Sequence, residues 1–284
     1  MMLFDTHSHL FWDSYKEDFD QVLNRAEENG VTTILNVGVD LESSKKCANL
    51  LSSNQKITFY SSIAIHPEEA IKYFNNEDQL EKDIAQLELI YLQHPNKVIA
   101  VGECGLDFAY ASWEGYLNKE ITPEEMKKLQ RKLFIAHIDL AKKLNLPLLL
   151  HIRDDRTQNT QNSECWDEAI EKTKDHFGIY HCYSGLLQTT KKLSPNFMVS
   201  FAGNCTYKKN DYLKEAIQFL PLEQIVLETD CPFLPPQSKR GKRNEPANIK
   251  EIAEFIANLK AQSLESVSNQ TTKNAQKILR INAK

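Results

Sequence analysis

A chain of 284 residues, 41% hydrophobic and 26% charged, carries enough apolar material for a large core, and its length suits one (β/α)8 barrel. Its formal net charge of −5 excludes the wrapping of a nucleic-acid duplex by bulk electrostatics, although a local basic patch could still hold phosphates. No basic n-region leads into an apolar core at the N-terminus, and no run of about 18 apolar residues occurs, so a soluble, cytoplasmic protein with no membrane partner is expected.

The first four residues are apolar and lead into Asp5-Thr6-His7-Ser8-His9, which reads as a short buried strand. Alternate side chains of a strand share a face, so His7 and His9 point the same way, within reach of one ion. Neutral imidazole is a good ligand for zinc, manganese, iron or nickel. A helix over 15–29, stopped by Gly30, precedes the strand TTILNVGV, the helix LESSKKCANLLSS and the strand ITFYSSIAIHP. Helical periodicity over 77–93 comes before the strand NKVIAVGECGLDF. The helix over 122–144 opens on Thr-Pro-Glu-Glu: a hydroxyl N-cap, a proline in the first turn, and acids that complement the helix dipole. His137 lies on its apolar stripe and reads as a core or supporting histidine. Strands PLLLHI, GIYHCYS, NFMVSFAG and QIVLETD then alternate with helices near 164–175, before Pro195 and near 210–219. Helices over 246–260 and 264–280 finish the chain. Eight short apolar strands alternating with helices predict parallel βαβ units closed into a TIM-like (β/α)8 barrel, one α/β domain over 1–284 with an additional C-terminal helix.

Such a barrel gathers its catalytic residues at the carboxyl ends of the strands. Those ends carry His7 and His9 on the first strand, His66 on the third, Glu103 on the fourth, His151 on the fifth, His181 on the sixth and Asp230 on the eighth. A lone histidine closing a strand is more often structural, but six strand ends converging on one rim predict a metal centre. Four imidazoles and two carboxylates exceed what one tetrahedral ion takes, so two ions are expected. His7, His9 and Asp230 would hold one, His151 and His181 the other, with Glu103 bridging. Cations about 3.5–4 Å apart can share a hydroxide and clamp both attacking and leaving oxygens. The six cysteines form no CxxC pair. Cys104, Cys182 and Cys231 each follow a candidate ligand, which on a strand turns them to the opposite face as small packing thiols.

The stretches DTHSHL, IHPEE, GECGLDF, PLLLHIRDD, HCYSG and ETDCPFLPPQSKRGKRNEPANI span nearly the whole chain, and together they resemble the TatD family of metal-dependent deoxyribonucleases in the amidohydrolase superfamily. The last stretch is the most specific. The resemblance implies a TIM-like barrel, divalent metals (magnesium or manganese, with zinc as the other option) and phosphodiester hydrolysis, often from the 3′ end of single strands. It also implies ligand roles for His7, His9, Glu103, His151, His181 and Asp230. This chain departs from the family at Ala64, where glycine is usual, and in longer connections at 109–121 and 156–165.

For the chemistry, metal-bound water is the expected nucleophile, with Asp230 as its base and Glu103 as the bridge. His66 suits phosphate binding or protonation of the leaving group. Arg153 shares the face of His151 if the strand continues. The segment 238–243 carries four positive charges just after Asp230, so Arg240 and Arg243 are expected to clamp phosphate, against the alternative of a solvated loop. Phe108, Tyr110, Trp113 and Tyr116 could stack unpaired bases, each worth ~1–3 kcal/mol, or form a small hydrophobic lid. The expected substrate is single-stranded or frayed nucleic acid, DNA or RNA. Two rivals are a small-molecule amidohydrolase cleaving a cyclic amide or lactone, and a non-catalytic nucleic-acid-binding or scaffold protein.

Overall fold

Strands that lack a polar face must be covered on both sides, and parallel strands need crossover helices to be joined at all. The computed structural model, which describes residues 1–109, 121–154 and 163–281, meets both demands with one eight-stranded parallel sheet in sequential order. Its strands are β1 Leu3–Ser8, β2 Val31–Val37, β3 Thr58–Ile63, β4 Val98–Asp107, β5 Leu148–Arg153, β6 Gly178–Tyr180, β7 Phe197–Phe201 and β8 Ile225–Leu227. Beyond β8, the Asp230 N–H donates to the His7 carbonyl and the His9 N–H to the Cys231 carbonyl, both at 2.9 Å, which closes the sheet into a barrel.

The described helices are α1 Phe19–Glu28, α2 Leu41–Asn49, α3 Glu77–Gln93, α4 Pro123–Leu144, α5 Glu164–Thr173, α6 Leu187–Thr190, α7 Asp211–Phe219, α8 Ile249–Lys260 and α9 Leu264–Ile278. Thr122 caps α4 as its sequence predicts, with Glu125 reaching back to the Thr122 N–H in a capping box. One apolar cluster fills the space between strands and helices. A second takes Phe4, Leu35, Leu149, Ile179, Met198 and Val226 from alternate strand positions and is stoppered by Ala275, Ile278 and Leu279 at the end of α9. The additional C-terminal helix therefore closes one end of the barrel. The candidate ligands stand at the other end. Among the described residues no helix is long and apolar enough to cross a membrane.

Several elements are shorter than their sequence patterns. The expected sixth strand GIYHCYS is regular only over β6, so His181 sits just past its end and Cys182 takes φ +41°. Strict alternation has stopped there, and Cys182 lines the cavity at the barrel mouth instead of packing behind it. Cys104 and Cys231 are fully buried, as a packing role requires. Tyr110, Trp113 and Tyr116, with most of the two longer connections, lie outside the described residues.

Glu103 is set into β4 where the backbone runs unusually close to β5. Gly105 has φ +145°, and a Cβ there would lie 2.1 Å from the His151 carbonyl oxygen. We expect Gly105→Ala to lower stability by roughly 2–5 kcal/mol, from backbone strain plus overpacking. Urea unfolding measures this, and a midpoint unchanged from wild type would contradict the close approach.

Candidate metal centre

The candidate ligands converge on a cavity of about 890 Å³, lined among others by His9, His66, Glu103, His151, His181 and Asp230. His7 Nε2 and His9 Nε2 lie 3.2 Å apart, so the pair that opens the chain does share a face. Asp230 Oδ1 is 3.8 Å from the first and 3.5 Å from the second. Glu103 stands between two groups. Its Oε2 is 3.2 Å from His7 Nε2, while its Oε1 is 2.7 Å from His151 Nδ1, 3.3 Å from His181 Nε2 and 3.5 Å from His66 Nε2. Three of the resulting donor triads are His7–His9–Asp230, His7–Glu103–His181 and His66–Glu103–His151.

The second nitrogen of each ring decides what the first can do. His9 Nδ1 donates to the Val37 carbonyl at 3.0 Å, which leaves a lone pair on Nε2. His181 Nδ1 faces Glu228 Oε1 at 2.9 Å, and His151 Nε2 donates to Asp107 Oδ2 at 3.2 Å. In each case the nitrogen turned toward Glu103 or Asp230 is the one a cation would bind, on His151 and His181 in place of a proton. His66 differs. Its Nδ1 accepts the Glu68 N–H at 3.3 Å, so its proton belongs on Nε2, which makes it a donor at the site. His137 is a satisfied core histidine, donating to the Leu133 carbonyl and accepting from the Ile65 N–H.

Charge follows the same plan. Burial, followed by the neighbouring His181, pushes the His7 imidazole down to about 3, so it stays neutral. Its Nδ1 is buried without a hydrogen-bond partner. Burial pushes the Glu103 carboxyl up, but His181, His7, His66 and His151 together hold it well below the ordinary range. Burial also works against a charged His151 and His181, yet their carboxylate neighbours raise them to about 9 and about 10. Lone pairs on His7 and His9 and an oxygen each from Glu103 and Asp230 thus face one another, and such a set repels itself unless positive charge stands among them. The donor set fits a divalent cation, whose entry would displace protons from His151 and His181.

Sequence reasoning passed over the carboxylates behind these rings, Asp107 and Glu228, both fully buried. Asp107 is four residues after Glu103 on the same strand and therefore on the same face, which was a readable signal. It also holds Arg153, whose guanidinium lies 2.6 Å from Asp107 and 3.0 Å from Glu68. Arg153 lines the cavity, but its charge is already engaged.

Arg240 and Arg243 are not brought to the cavity wall. Arg243 donates to both oxygens of Asp18, at 2.8 and 2.6 Å, and lies over the Tyr15 ring, while Arg240 lies over Tyr207. Asp18 and the ring of Tyr15, just before α1, capture the charge expected to meet phosphate. The neighbouring Asn244 has a different task. Fully buried, its amide donates to the Thr229 and Phe233 carbonyls at 2.8 and 2.6 Å and accepts from Asn248 and the Glu245 N–H. It holds the turn that presents Asp230. Asn244→Ala would leave the Thr229 carbonyl buried and unpaired and free the Phe233 carbonyl, so we expect a loss of about 1–3 kcal/mol in stability together with weaker divalent-metal binding. Calorimetric titration beside chemical unfolding measures both, and unchanged metal affinity would contradict the latch.

Comparison with known proteins identifies the family. A model of the family described as TatD related DNase matches residues 4–280. The chain is 36% identical to an uncharacterized metal-dependent hydrolase, YabD, of Bacillus subtilis, over 99% of this chain and 100% of that one. It is 28% identical to a Pantoea ananatis protein named 3′-5′ ssDNA/RNA exonuclease TatD, over 97% of this chain and 98% of the other. The fold matches that of YJJV, a TatD homologue of Escherichia coli, with a TM-score of 0.80 at 24% identity over 99% and 98% of the two chains. The chain belongs to the TatD-related DNase family of metal-dependent hydrolases.

Proposed function

We propose that this protein is a divalent-metal-dependent exonuclease that removes nucleotides from the 3′ end of single-stranded DNA, with RNA as a second strand chemistry. The observation that carries the reading is the orientation of Glu103, one carboxylate oxygen toward His7 and the other toward His151 and His181. Two cations held on either side of it, by His7, His9 and Asp230 and by His151 and His181, would supply an acidified water and positive charge for phosphoryl oxygens.

The chain's own residues do the rest. Asp230 turns Oδ1 to the imidazoles, leaving its other oxygen to orient the attacking water and take its proton. His66 offers its Nε2 proton to a phosphoryl or leaving oxygen. Asp107 and Glu228 fix the rings of His151 and His181, so the donors need no rearrangement as charge develops. A net charge of −5 gives no general attraction for the denser phosphate array of a duplex.

The test is hydrolysis by chelated protein reconstituted with magnesium or manganese, on labelled linear single strands, circular single strands, linear duplexes and a cyclic amide. Stepwise shortening of the linear single strand from its 3′ end is expected, with the circle resistant and the duplex slow. His66→Asn should lower kcat by roughly 10²–10⁴-fold with bound metal retained. Equal rates on circles and linear strands would contradict end-directed cleavage, and turnover of the cyclic amide alone would point to small-molecule hydrolysis.

A further inference from the structure

The wall of the cavity nearest His9 is aromatic, and it is built onto the candidate ligands themselves. Trp12 follows His9 by three residues, and its N–H donates to the His9 carbonyl at 3.2 Å. Phe233 follows Asp230 by three residues, and its N–H donates to the Asp230 carbonyl at 2.9 Å. Two tight turns, each starting at a ligand of the same triad, therefore end on an aromatic ring. The rings meet edge to face, with centroids 4.9 Å apart and planes at 89°. The Trp12 ring is 5.8 Å from that of His9. The Asn244 amide bond to the Phe233 carbonyl fixes the second turn from behind.

These rings are not core. Trp12 is 36% and Phe233 44% exposed, beside a cavity that Glu68, Glu69, Arg153 and Asp154 also line. Two rings at right angles form a corner in which a flat ring can lie against one face and meet the edge of the other, the offset contacts that aromatic groups favour. The unpaired base of a strand is such a ring, and among the described residues that line the cavity Trp12 and Phe233 are the only tryptophan, tyrosine or phenylalanine side chains.

We propose that Trp12 and Phe233 hold an unpaired base next to the scissile phosphate, making this corner the base-binding subsite of the centre. The inference rests on the nuclease reading above. It accounts for a single-strand requirement at short range, because a paired base keeps its faces inside the duplex stack. Stacking is present before and during the reaction, so its loss raises KM more than it lowers kcat.

The test uses full-length protein loaded with manganese and two single-stranded oligonucleotides. One is an oligothymidylate, and the other has tetrahydrofuran abasic units at its terminal and penultimate positions. Wild type should prefer the intact strand by roughly 5- to 150-fold in kcat/KM, the range of one stacked base. Trp12→Ala should raise KM on the intact strand by a similar factor and bring the two substrates close together, while Trp12→Phe restores most of the preference. Metal content should match wild type in both variants. If wild type cleaves strands yet treats intact and abasic ends alike, the corner is overturned and the nuclease reading stands. If Trp12→Ala loses metal and kcat without rescue by phenylalanine, Trp12 only supports His9 and the proposal is again overturned. If wild type cleaves no strand with any metal, the nuclease reading fails and the corner falls with it.

Discussion

One buried carboxylate organises the mouth of this barrel. Five imidazoles approach Glu103 within 4.0 Å, and it turns a different oxygen to each side of the group. A charge in such a position is costly unless it is paired and hydrogen-bonded. The surroundings answer that demand with cationic character on His151 and His181 and a neutral face on His7. The same carboxylate ties the geometry to the fold, because β4 can present it only by running tightly against β5 at Gly105.

Around that carboxylate the histidines divide by the partner behind each ring. Asp107 and the Val37 carbonyl each take a ring proton on the far side of His151 and His9, and Glu228 stands 2.9 Å behind His181, which leaves the near nitrogen of each ring turned toward the carboxylates. The Glu68 N–H does the reverse to His66. Four residues of one type would thus offer three nitrogens to a cation and one proton donor, a division made by second partners and not by the ring itself. Farther out, Asn244 holds the turn after β8, and the pair Arg243–Asp18 ties the basic stretch to the segment just before α1.

Much of this was legible in the sequence, because parallel barrel topology brings strand ends together whatever lies between them. His7 and Asp230 are joined that way across more than two hundred residues, and the eight apolar runs marked the strands that join them. Alternation failed as a guide wherever a strand ended early. Cys182 faces the cavity because β6 stops before it, and its φ of +41° has no periodic signature. The fate of Arg243 depended on Asp18, far away in sequence and unmarked by any pattern. Trp12 and Phe233 were unreadable for a related reason: each lies in a turn, and only the folded chain shows that the two turns meet. Asp107, by contrast, was in plain view on the face of Glu103.

The central claim is that Glu103 lies between two cations. Anomalous scattering from manganese-soaked crystals tests it most directly. The expected result is two peaks about 3.5–4 Å apart, one against His7, His9 and Asp230, the other against His151 and His181, with a Glu103 oxygen on each. A single peak, or a peak held by His181, Cys182 and Glu228 away from Glu103, would contradict it.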